Sequence, residues 1–145
     1  MMNIDEKYMA EALKEAQAAG EEGEVPIGAV VVSHGRVIAR GHNMTERLND
    51  PTAHAEMICL TAATDALGGK YLTDCTLYVT MEPCPMCAAA LAWAQLPRLV
   101  YGAADPKRGY SIYSPSLLHP RTEVSSGVLA GECSSLVLDF FKSKR

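Results

Sequence analysis

Apolar positions along the chain recur in two rhythms. From Ile4 to Gly20, "IDEKYMAEALKEAQAAG" places Met9, Ala12, Leu13, Ala16 and Ala19 at helical spacing. Asp5 is the expected cap and Gly20 the expected stop. The rhythm then shortens. "IGAVVVS" and "RVIARGH" read as two strands around His34-Gly35, a tight hairpin. "NMTERLNDPT" is polar, and Asp50-Pro51 marks a turn. A second helix is expected over "AHAEMICLTAATDAL", closed by Gly68-Gly69.

"CTLYVTM" has the β-branched and aromatic content of a strand. A helix follows through Gln95, then the short strand "RLVYGA". Asp105 to Arg121 reads as loop, and "TEVSSGV" holds a last short strand. "GECSSLVLDFFKSKR" is the final helix, with Leu136, Val137, Phe140 and Phe141 expected on its inner face. This order describes an α/β layered domain, one sheet with helices on both faces.

At 145 residues, without repeats or linker-like stretches, the chain is expected to be one domain. A hydrophobic share of 48% and a charged share of 21% fit a soluble globular protein. The net charge of −4 argues against gripping nucleic acid by bulk charge, though not against a local basic patch. The start has no apolar core of a secretory signal, and "CAAALAWA" is too short to span a bilayer. A cytoplasmic location with reduced thiols and no membrane contact is expected. Five irregularly spaced cysteines fit metal binding or catalysis better than a disulfide framework.

The chemistry concentrates in two short motifs. Cys84 and Cys87 in "MEPCPMC" lie about one helical turn apart, where a strand hands over to a helix. A helix N-terminus favours thiolate there. Thiolates serve a redox pair and a metal site equally well, so the pair alone leaves both open. A thioredoxin-like pair prefers a position after the first βαβ strand. Here the pair falls past the middle, and the chain begins with a helix and a hairpin. The second motif is "HAE", His54-Ala55-Glu56, at the start of the second helix. Alone it fits a structural histidine and a solvated acid.

Together the motifs offer His54, Cys84 and Cys87 as three ligands with a fourth position open, the pattern of catalytic zinc. Glu56 is then placed to take a proton from water. Cys59 falls inside the helix and reads as a small core residue. The helix after Cys87 is apolar nearly all round, which fits either a core helix fully buried within one chain or a helix with a second subunit against one side.

His-x-Glu followed by Pro-Cys-x-x-Cys is the signature of zinc nucleobase deaminases. With "VPIGAVVV", "GHN", "DPTAHAEM", "CTLYVTMEPCPMCAAAL", "RLVYGAADPKRG" and "VSSGVLAGECSSLVLDFFKSKR", the chain resembles the bacterial tRNA-specific adenosine deaminases nearly end to end. That resemblance implies a three-layer α/β/α, cytidine-deaminase-like fold with a central five-stranded mixed sheet, one Zn2+ per chain and a homodimer. It implies that water adds to C6 of adenine, that Glu56 shuttles the proton, and that tRNA adenosine becomes inosine at the wobble position of the anticodon loop.

It further implies that Asn43 bonds the base and that Ile27 and Ala55 wall its slot. Asp105 and Lys107 would then lie along flanking nucleotides, and the basic C-terminus would contact phosphate. After Gly109 the chain departs from the family pattern, in "YSIYSPSLLHPRTEV", a segment that shapes the substrate entrance. A free base or nucleoside of guanine, adenosine or cytosine type is the alternative substrate. Tyr110 and Tyr113 fit either base stacking or ordinary packing.

Overall fold

The computed structural model describes residues 2–144. The chain opens with helix α1, Ile4–Glu21. Its cap is Asn3 rather than Asp5. The Asn3 side chain accepts the Glu6 N–H while Glu6 reaches back to the Asn3 N–H, a reciprocal capping box. The helix also runs past Gly20 and ends at Glu22. Asp5 instead ties the helix to the sheet. It takes a bidentate fork from Arg98 at 2.9 and 2.8 Å and the Tyr78 hydroxyl at 2.8 Å. Arg98 foremost holds the Asp5 carboxyl below its usual range.

Strands β1 (Gly28–Ser33) and β2 (Arg36–His42) form the expected hairpin. His34 and Gly35 both have positive φ, which a two-residue turn of matching twist requires and Gly35 adopts without strain. The polar stretch after it holds a four-residue helix, α2, Thr45–Leu48. Helix α3 spans Ala55–Leu67 and closes on Gly68. Strand β3 is Cys75–Met81, helix α4 is Pro85–Trp93, and strand β4 is Arg98–Ala103.

The segment read as loop contains a short helix, α5 (Tyr110–Tyr113), and a 3-10 turn at Pro115–Leu117. Strand β5, Glu123–Ser125, and helix α6, Ala130–Ser143, complete the chain. The sheet order is β2-β1-β3-β4-β5. The β1 pairings are antiparallel, whereas β3–β4 and β4–β5 are parallel.

Every residue of β1 is buried, because helices cover both sheet faces. Ala29, Val31, Leu77, Val79 and Leu99 face one core, with residues of α3 and α4. Val30, Val32, Tyr78 and Val100 face the other, with residues of α1 and α6. Each fully buried Val or Leu contributes about 1.5–3 kcal/mol over its exposed state.

One expectation about faces needs correction. On α6, Cys133 is the buried residue; Leu136, Val137 and Phe140 are half-buried, and Phe141 is exposed. Gly102 on β4 leaves the space that Cys133 fills. On α4, Trp93 is 84% exposed in this single chain. Among the described residues no helix is long and apolar enough to cross a membrane.

Candidate functional site

Two helix beginnings and one strand exit meet at one point. His54 is the N-cap of α3 and Cys84 the N-cap of α4, both in extended backbone geometry. The His54 side chain makes no cap bond to α3 and points to the cysteines instead. Cys87 follows one turn into α4, after Pro85 in the first turn, where a missing N–H has no cost. His54 Nδ1 lies 3.6 Å from Cys84 Sγ and 3.5 Å from Cys87 Sγ. One ligand atom from each of the three residues lies within 4.8 Å of the other two.

The chemistry of the donor set shows whether it suits zinc. The bond from Cys87, foremost, holds the Cys84 thiol down at about 4 despite burial. Cys87 is pushed far up by the same contact with Cys84. Two sulfurs this close retain one proton between them unless a cation is present. A soft divalent cation is what allows both to be thiolates. His54 is raised, chiefly by its bond to Cys84, and gives an imidazole nitrogen to the same point. The residues fit zinc with three protein ligands and an open fourth position.

Glu56, in the first turn of α3, is 5% exposed. Burial pushes its carboxyl up to about 7. It borders a cavity of about 260 Å³ that is also lined by His54, Cys84, Ile27, Asn43 and Ala55. Ala55 opens α3, and first-turn N–H groups have no partner within their helix. The Asn43 N–H donates to the Ile27 carbonyl at 3.1 Å, which fixes both residues on one rim. Asn43 Oδ1 is buried without any hydrogen-bond partner, an orphan acceptor beside the cavity.

Asp105 also lines the cavity, and its Oδ1 accepts the N–H groups of Lys107 and Arg108 at 3.0 Å each. Lys107 itself is exposed and stands outside the lining; Arg108 lines the cavity in its place.

Val25, Thr45, Met81 and Glu82 complete the lining and have no counterpart among the expected site residues. Glu82 sits inside "MEPC", where an acid between apolar strand and ligand is the available signal. Tyr110 is buried and belongs to the core; Tyr113 is exposed. Cys59 is a core thiol donating to the Ala29 carbonyl, and His42 is held between Glu15 and Glu22.

Residues 2–103 match the model of the cytidine and deoxycytidylate deaminase zinc-binding region, the class that this fold and site define. The chain is 48% identical to a tRNA-specific adenosine deaminase of Bacillus subtilis over 99% of its length and 92% of that relative. A tRNA-specific adenosine deaminase of Agrobacterium fabrum is also 48% identical, over 95% of this chain and 94% of that one.

A structure from a study of A-to-I editing by tRNA:A34 deaminases at the wobble position superimposes with a TM-score of 0.84. It shares 48% identity and covers 90% of this chain and 98% of its own. Guanine deaminase from Bacillus subtilis gives a TM-score of 0.67 at 41% identity, over 71% of this chain and 66% of its own. The chain belongs to the tRNA-specific adenosine deaminase family of zinc-dependent, hydrolytic deaminases.

Proposed function

We propose that this deaminase converts adenosine to inosine at the wobble position of a tRNA anticodon loop. The observation that carries the reading is the placement of buried Glu56 beside the three ligands, on a cavity whose rim holds the orphan Asn43 Oδ1. Zinc held by His54, Cys84 and Cys87 supplies Lewis acidity, which lowers the pKa of a water molecule. Glu56 takes a proton from the attacking water as its oxygen bonds to C6. It returns that proton to the ring nitrogen, then takes the remaining proton from the hydroxyl on C6 and gives it to the departing amine. Ammonia leaves, and C6 keeps the oxygen as a carbonyl.

Asn43 orients the base, since an amide both donates and accepts. Ile27 and Ala55 form its apolar walls. Asp105 and Arg108 face the flanking nucleotides from the rim, with Lys107 on the loop's outer side. Lys142 and Lys144 stand exposed at the end of α6, available to phosphate; Arg145 lies outside the described residues.

Residues 1–145 act as one cytoplasmic domain that pairs as a homodimer. Exposed Trp93, with half-buried Ala89, Ala90 and Ala92, supports a partner seated on α4. Sedimentation is expected to give a dimer at micromolar concentration, and monomer alone would reject it.

An anticodon stem-loop incubated with purified protein is expected to yield inosine. Absence of product there, with rapid ammonia release from free guanine or adenosine, would move the assignment to a small-molecule deaminase. Guanine is included because of the likeness to a guanine deaminase structure.

A further inference from the structure

Glu82 is a buried carboxylate, 5% exposed, with no place in the ligand set or the proton path. It follows β3 directly and precedes Pro83 and Cys84. Oε1 accepts the Asp105 N–H at 3.1 Å. Oε2 accepts the Ser111 N–H at 3.0 Å and the Ser111 hydroxyl at 2.6 Å. Donors on both oxygens offset the cost of burying the charge.

All of these donors belong to the segment from Asp105 to Ser111. The next residue in the strand exit joins in: the Pro83 carbonyl accepts the Tyr110 N–H at 2.9 Å. Gly109 makes the approach close, because a Cβ there would overlap the Glu82 carboxylate. Between these bonds lies Arg108, which lines the cavity together with Asp105. The two residues ahead of a zinc ligand therefore grip both ends of the segment that faces the cavity.

We infer that Glu82 is a positioning residue. It fixes the Asp105–Ser111 segment in register with Cys84, and through that segment sets the affinity for single-stranded nucleotides flanking the target base. Although Glu82 borders the cavity, its carboxylate oxygens are taken up by Asp105 and Ser111, through which it acts. The substrate part of this inference rests on the RNA reading above.

Glu82→Gln keeps the shape and replaces one acceptor oxygen by a donor that opposes an N–H. With wild type and variant as full-length zinc proteins, about one zinc per chain is expected in both. The loss on the stem-loop is expected in KM, about tenfold, with kcat within about threefold. Amide exchange at Asp105 and Ser111 is expected to rise about tenfold or more, with that of α3 unchanged.

Ser111→Ala, which removes only the hydroxyl, is expected to raise KM less and in the same direction. Unchanged KM and exchange in both variants would overturn the inference. So would zinc loss, or a fall in kcat at constant KM, which would assign Glu82 to the metal centre. A wild type inactive on the stem-loop would reject the RNA reading alone; exchange at Asp105 and Ser111 then decides the anchoring by itself.

Discussion

The cavity has two kinds of wall. On one side His54, Ala55, Glu56 and Cys84 stand at the starts of α3 and α4, with Cys87 fully buried behind them and the sheet core beneath. On the other, Asp105 and exposed Arg108 stand on irregular chain with exposed Pro106 and Lys107, just ahead of the short helix α5. The first wall stands at the starts of two regular helices packed on the sheet. The second is tied to the strand exit by a few bonds, most of them to the Glu82 carboxylate and one to the Pro83 carbonyl. The contrast separates two demands: reacting groups need tight tolerance, which regular elements provide, whereas recognition tolerates variable chain anchored at points.

Breaking the first wall should cost most. Cys87→Ser removes a thiolate and is expected to abolish both zinc retention and turnover, checked by metal analysis and the inosine assay. Glu56→Ala separates metal from proton transfer. It should keep zinc and lose about 10²–10⁴-fold in kcat; activity retained in that variant would overturn the shuttle role.

Asn43→Ala tests the rim between the walls. Loss of an oriented hydrogen bond to the base is expected to lower kcat/KM about 10–100-fold, with zinc unchanged. Arg108→Ala tests the second wall and should be mildest. A few-fold rise in KM is expected, together with a shallower salt dependence of binding, if the side chain meets phosphate. A fall in kcat as large as that of Glu56→Ala would erase the distinction between the walls.

The same division governs what can be read from the chain. The hairpin, β3, β4 and the ligands follow from local signals: alternation, a tight turn, and two short motifs at helix starts. The four-residue α2 does not, because its cap comes from far away. Glu24, buried and distant in sequence, accepts the N–H groups of Glu46 and Arg47 at 3.0 and 2.8 Å. Order between Asp105 and Ser111 likewise depends on Glu82, so a local reading sees only loop.

Asn3 is hard to single out as a cap, because Asp5 is an equally suitable residue two positions on. What separates them is a partner ninety-three residues away, Arg98, which engages Asp5 and leaves capping to Asn3 and Glu6. Trp93 shows the complementary limit. Its apolar surroundings in sequence signal burial without saying whether this chain or another supplies the cover.

One close contact far from the chemistry has a further consequence. Gly28 opens β1 next to Ile27, and a Cβ there would overlap the backbone of α1 at Ala12 and Ala16. Helix and strand touch main chain to main chain on the side of the sheet opposite the metal. The outer layer therefore has no slack to absorb a larger side chain at these positions, and any shift it makes is handed through Gly28 to a residue that lines the cavity. Mutational tolerance in this protein should thus be lowest not only around the zinc ligands but also along an alanine seam that bears no reactive group at all.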